Sequence, residues 1–138
     1  MWDAPLPDGL LRQAIKRSVS ETPVSFAQLV RMLPQLKGTE DLELDAGLIL
    51  WRGLCGPAIA ALRALHADAS IFFWLCPPSI YAKSDDAPFL RLMSRAHRPG
   101  EHAWLPTLIF NRPPSAAESR QAVSAYVAEL ARKPLAAL

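Results

Sequence analysis

Glu40, Asp41, Glu43 and Asp45 crowd four carboxylates into one short stretch. Carboxylates do general acid/base work when a pocket desolvates one of them. The run Lys37-Gly-Thr-Glu-Asp-Leu-Glu-Leu-Asp45 reads instead as a loop entering a strand, which leaves the acids in water and away from any nucleic-acid face. His97 and His102 could ligate a metal together with Cys76 or with Asp85 and Asp86, but their spacing matches no structured metal site, and no metal is expected. Cys55 and Cys76 form neither a disulfide framework nor a zinc motif. Both lie in apolar surroundings and are expected to be reduced, buried thiols, Cys55 being the better placed for reactivity because it precedes a helix. Gly-x-Ser-x-Gly, a phosphate-cradling glycine loop and His-Glu-x-x-His are all missing from the sequence. The expectation is a non-enzymatic protein without a cofactor. The densest positive cluster is Arg91, Arg95, His97 and Arg98; Arg91 and Arg95 share a helix face at i, i+4 and suit phosphate contacts. Arg12, Lys16 and Arg17 offer a second cluster.

The elements that must position these groups follow from periodicity and punctuation. Asp8 can cap a first helix whose face carries Leu11, Ala14, Ile15 and Ser18 or Val19 and which ends near Ser20. Ser25 and Gln28 form a capping box ahead of Phe26, Leu29, Val30 and Leu33, and Pro34 stops that helix. Gly47 to Trp51 reads as a short buried strand. Pro57 suits the first turn of a helix running to Ala67 or Asp68 with Ile59, Leu62, Leu65 and His66 on one stripe. Ile71 to Leu75 is aromatic and β-branched, as strands are. Ser79 to Lys83 is expected as an extended edge, and Asp85 or Asp86 caps a short helix through Phe89, Leu92, Met93 and Ala96. Trp104 to Phe110 reads as a strand with Pro106 at an edge or bulge. Ser115 and Glu118 open a closing helix over 115–133, with Val123, Tyr126, Val127 and Leu130 as its apolar face. Trp51, Trp74 and Trp104 each fall in a strand and are expected in a shared sheet or core.

The chain of 138 residues fits one domain over 1–138, and its 51% hydrophobic content supplies a core. A net charge of +2 is too small to argue for nucleic acid by itself. No apolar run reaches the ~20 residues of a membrane span, and Met1-Trp-Asp-Ala-Pro5 has no signal-peptide pattern. A cytoplasmic protein without a membrane partner is the expectation. The scattered strands among helices predict an α+β class with a short β-sheet and a C-terminal helix.

From Pro23 to Phe73 the chain resembles the winged-helix members of the helix-turn-helix superfamily. Val24-Ser-Phe-Ala-Gln-Leu-Val30 is similar to the first helix of that motif, and Pro57-Ala-Ile-Ala-Ala-Leu-Arg-Ala-Leu-His66 to its recognition helix. Ile71-Phe-Phe-Trp74 resembles the first wing strand, with Trp104 to Phe110 as its return strand. The chain departs from that pattern in the long stretch between the two helices and in a long wing. The resemblance implies a DNA-binding or regulatory module contacting double-stranded DNA, with phosphate contacts from Arg63, Arg91, Arg95 and Arg98. The alternative is a protein-interaction module, a homodimer in one form, with Tyr126, Val127 and Leu130 as contacts and no nucleic acid bound. Between the two stands the chemistry of Ala58–His66: only Arg63 and His66 are polar in a helix of alanines, and base edges are read by groups such as Arg, Lys, Asn and Gln.

Overall fold

The computed structural model describes residues 8–45, 47–82, 92–94 and 101–132. α1 (Asp8–Ser18) sets Leu11 and Ile15 into the core, with Val19 just past its end, all buried. β1 (Val24–Ser25) runs directly into α2 (Phe26–Met32). The Ser25 amide donates to Gln28 Oε1 at 2.9 Å and the Gln28 amide to Ser25 Oγ at 3.1 Å, so the expected capping box forms. Pro34 closes α2 by opening a 3-10 turn, Pro34–Leu36.

The acidic stretch expected as a loop entering a strand is strand throughout. β2 (Lys37–Asp45) pairs antiparallel with β3 (Leu48–Leu54), which runs three residues beyond the expected Trp51 because Leu54 is also buried. Lys37 and Glu40 both face Leu54, a bulge that wraps the start of β2 around the end of β3. Gly47 turns the hairpin with φ 89°. α3 (Gly56–Ala67) follows, then β4 (Phe72–Leu75). α3 ends in a Schellman arrangement: the Ser70 amide donates to Leu65 O at 2.9 Å and the Ala69 amide to His66 O at 3.2 Å, with Ala69 left-handed at φ 63°.

The run 104–110 is split between two sheets. β5 (Ala103–Trp104) lies parallel to β3, while β6 (Thr107–Phe110) lies antiparallel between β1 and β4, giving the orders β2-β3-β5 and β1-β6-β4. Pro106 sits at the switch; it has no amide for a ladder, and its carbonyl accepts from the Cys76 amide at 2.9 Å. Pro78–Tyr81 is a 3-10 turn where an extended edge was expected, with the Ile80 amide donating to Pro77 O at 3.1 Å. The helix expected after Asp85 or Asp86 falls mostly outside the described residues; at Leu92 the chain instead bridges Trp104 in parallel, and the Met93 amide donates to Trp104 O at 2.9 Å. α4 (Ala116–Arg132) opens with the expected Ser115–Glu118 capping box. Its Glu118 carboxyl is held down at about 2 by Arg112 and by the Ser115 amide.

A chain of rings fills the core. Phe26 stacks on Trp51 at 6.1 Å and lies 5.9 Å from Phe73; Tyr81 lies 5.3 Å from both Trp51 and Trp104. Trp51 and Trp104 thus share a sheet and a core, as expected, whereas Trp74 belongs to the other sheet and is half-buried, its Nε1 donating to Ser119 O at 3.3 Å. Tyr81 is the junction: its hydroxyl accepts from the Phe26 amide at 2.8 Å and donates to Thr107 O at 2.6 Å. The Tyr126 hydroxyl donates to Met93 O at 2.7 Å and ties α4 to the 92–94 segment.

Burial pushes the phenols of Tyr81 and Tyr126 above their ordinary range and the Cys76 thiol up to about 12. The folded chain therefore holds these protons more tightly than the unfolded chain. The stability they confer is complete below their ordinary values and declines as pH rises past them. The chain has two tyrosines, both buried. A spectrophotometric titration is expected to show no phenolate until the fold is lost, above about pH 10. Gradual ionisation of either tyrosine near its ordinary value, with the fold intact, would contradict this burial.

Candidate functional site

The outward face of α3 is where the resemblance places recognition, and the local sequence determines what that face offers. Cys55 caps the helix with its backbone: its amide donates to Leu36 O at 2.9 Å and its carbonyl accepts from the Ile59 amide at 3.1 Å. Its side chain makes no capping bond; the half-buried thiol points to Gln35 O at 3.6 Å. Pro57 occupies the first turn. Ala58, Ala61, Leu62 and Leu65 face the core, which leaves Pro57, Ala60, Arg63, His66 and Ala67 outside.

Of these, Arg63 is the one permanent cation, and it is engaged within the chain: Nη2 donates to Glu43 O at 2.8 Å. His66 lies flat on Phe73 at 4.8 Å. The acidic strand β2 packs along the same helix. Glu40 is exposed at the helix start, its Oε2 3.1 Å from where a Cβ on Gly56 would stand. Asp41 pairs with Arg52 at 3.3 Å in a solvent-exposed bridge, a kind that adds little stability. The sequence placed these acids away from a nucleic-acid face; the structure sets them beside the helix that would form one.

The remaining expected site residues are dispersed. Arg91, Arg95 and Arg98 lie outside the described residues, as do His97, Asp85 and Asp86. His102 is exposed and Cys76 is buried, and among the described residues no group of three His, Cys, Asp or Glu side chains could hold a metal. On α4 the expected contact trio divides. Tyr126 is 3% exposed and turned into its own chain, so it is removed from any outer contact surface, while Val127 is 53% exposed and Leu130 half-buried. Val123, one turn before Val127 and 40% exposed, joins it on the outside. The contact between β2 and α3 was missed from sequence; its signal was the alternation of Leu42 with Glu43 and Leu44, combined with glycines at 38 and 47.

The chain is of the α+β class, with four helices among the described residues set around two small sheets, the last of the helices lying toward the C-terminus. Compared with family models, curated proteins and solved structures, it matches none of them.

Proposed function

We propose that the chain is a winged-helix-like, non-enzymatic interaction module that docks protein, in the first instance a second copy of itself, and does not read duplex DNA through α3. The observation that carries this reading is the state of Arg63. The single permanent cation on the outward face of α3 is bonded to the backbone of an acidic strand, and its neighbours on that face, apart from His66, are proline and alanine. The antiparallel pairing of β4 with β6, Phe72 opposite Phe110 and Leu75 opposite Thr107, supports the winged-helix-like description.

The surface assigned to the second copy is the outer side of α4. This helix of 17 residues fully buries only Tyr126 among its described side chains and leaves Val123 and Val127 outward, one turn apart, with small neighbours Ser124, Ala128 and Ala131 that permit close helix approach. A two-fold contact uses the same patch twice. Sedimentation velocity is expected to show a dimer that persists in high salt, and Val123→Glu with Val127→Glu is expected to yield a monomer that still unfolds cooperatively, at a midpoint that no longer rises with protein concentration. A strict monomer over the whole accessible concentration range contradicts self-association.

A second reading keeps duplex DNA as partner and is favoured by α1. Arg12 and Lys16 stand close enough to the end of α3 to help draw the Asp68 carboxyl below its ordinary range, after the larger effect of its hydrogen bond with Ser70. Arg63 would then add one phosphate contact, and Arg91, Arg95 and Arg98 the others. Its signature is affinity that falls steeply with salt.

A further inference from the structure

We infer that the β2–β3 hairpin is a built-in screen that holds polyanions away from α3. This rests on the proposed protein-docking reading, in which α3 does not read duplex DNA; it adds the device that keeps nucleic acid off the helix. The hairpin fills the interval between the 3-10 turn after α2 and α3, and it folds back on the start and side of α3 at three places. At the first, Gly38 meets the backbone of Leu54 and Cys55, at the root of the helix. At the second, the Glu40 carboxylate stands against Gly56. At the third, the Glu43 carbonyl takes the Arg63 guanidinium at 2.8 Å.

These contacts oppose nucleic acid in two ways. The first turn of a helix carries free amides and the positive end of the dipole, the place where a phosphate would settle. Here a carboxylate of the same chain stands next to that turn. Arg63, which would otherwise reach a phosphate, is drawn sideways onto the hairpin. Asp41 and Glu43, half-buried on the same strand, extend the negative edge; Arg52 offsets Asp41. A DNA strand approaching α3 comes within a Debye length, about 8–10 Å, of these acids, where their repulsion is only partly screened at moderate salt.

The test compares two pairs of substitutions that raise net charge equally: Glu40→Gln with Glu43→Gln in the hairpin, and Glu21→Gln with Glu129→Gln away from it, Glu129 lying on α4 against Ser79. The probe is a fluorescein-labelled mixed-sequence DNA duplex, read by anisotropy at low salt. The hairpin pair is expected to tighten binding about tenfold or more, with the gain lost as salt rises, and the control pair less than about threefold. Glu40→Gln with Asp41→Asn reads the same quantity if the first pair unfolds, since it spares the 3.0 Å bond from the Gly47 amide to Glu43. Equal gains from hairpin and control pairs overturn the screen. Tight, salt-sensitive binding by the unsubstituted chain overturns instead the protein-docking reading on which the screen rests.

Discussion

Replacing Gly38 by alanine is expected to lower the thermal midpoint by about 10 °C or to abolish the cooperative transition. A Cβ at this position would stand 2.6 Å from Leu54 O and against the backbone N and Cα of Cys55. All three obstacles are main-chain atoms, so no side-chain rotation relieves the overlap. The same short segment carries the Leu36 carbonyl that accepts the Cys55 amide and the bulge in which Lys37 and Glu40 both face Leu54. Moving β2 outward would therefore loosen the hairpin and the start of α3 together. Overpacking usually costs about 1–3 kcal/mol and more where the backbone cannot shift. Gly9→Ala is the natural control: nothing lies within 4 Å of its added methyl, and it sits in α1, where alanine is the better helix former. Circular-dichroism melts should show Gly38→Ala far below the unsubstituted chain and Gly9→Ala at or above it. A Gly38→Ala midpoint equal to that of the unsubstituted chain would contradict the close approach of β2 to Cys55.

Tyr81→Phe carries the second large effect, a loss of about 3 kcal/mol. The ring keeps its place against Trp51 and Trp104, so the substitution isolates the hydroxyl. That hydroxyl satisfies the Phe26 amide and the Thr107 carbonyl at once, in a site closed to water. Deleting it leaves a buried donor and a buried acceptor unpaired, each at about 1–3 kcal/mol. It also unlinks the 3-10 turn Pro78–Tyr81 from the start of α2 and from β6. Urea denaturation should show a lower midpoint with an unchanged slope, because the surface exposed on unfolding stays the same. A loss under about 1 kcal/mol would mean that the hydroxyl does not bridge these elements.

What could be read in advance was local. The boxes Ser25–Gln28 and Ser115–Glu118 need only four consecutive residues, and both form. The aromatic run of β4 lies where the sequence places it, and of the expected α3 stripe Leu62 and Leu65 face the core while His66 turns outward onto Phe73. The features that were not legible depend on partners distant in the chain. β2 presents mostly charged residues, and its strand character comes from pairing with β3 rather than from its own composition. The division of 104–110 between two sheets depends on β3 and β4 both being in reach of one short run. On α4, Tyr126 and Val127 both belong to an apolar face by periodicity, yet successive residues point about 100° apart on a helix. One of the two had to face outward, and the Tyr126 hydroxyl bond to Met93 O decides which. Similarly, the resemblance offered Arg63 as a phosphate contact, but its bond to Glu43 arises from a hairpin whose position no local pattern records.

The central claim is that α3 does not act as a DNA-reading helix. It is tested most directly by titrating the unsubstituted chain into a labelled mixed-sequence DNA duplex at several salt concentrations. The account predicts weak association throughout, with a shallow dependence of log affinity on log salt, since Arg63 is already engaged and the flanking strand is acidic. Tight binding at low salt with a slope near −0.9 for each phosphate neutralised, summed over several phosphates, would contradict it.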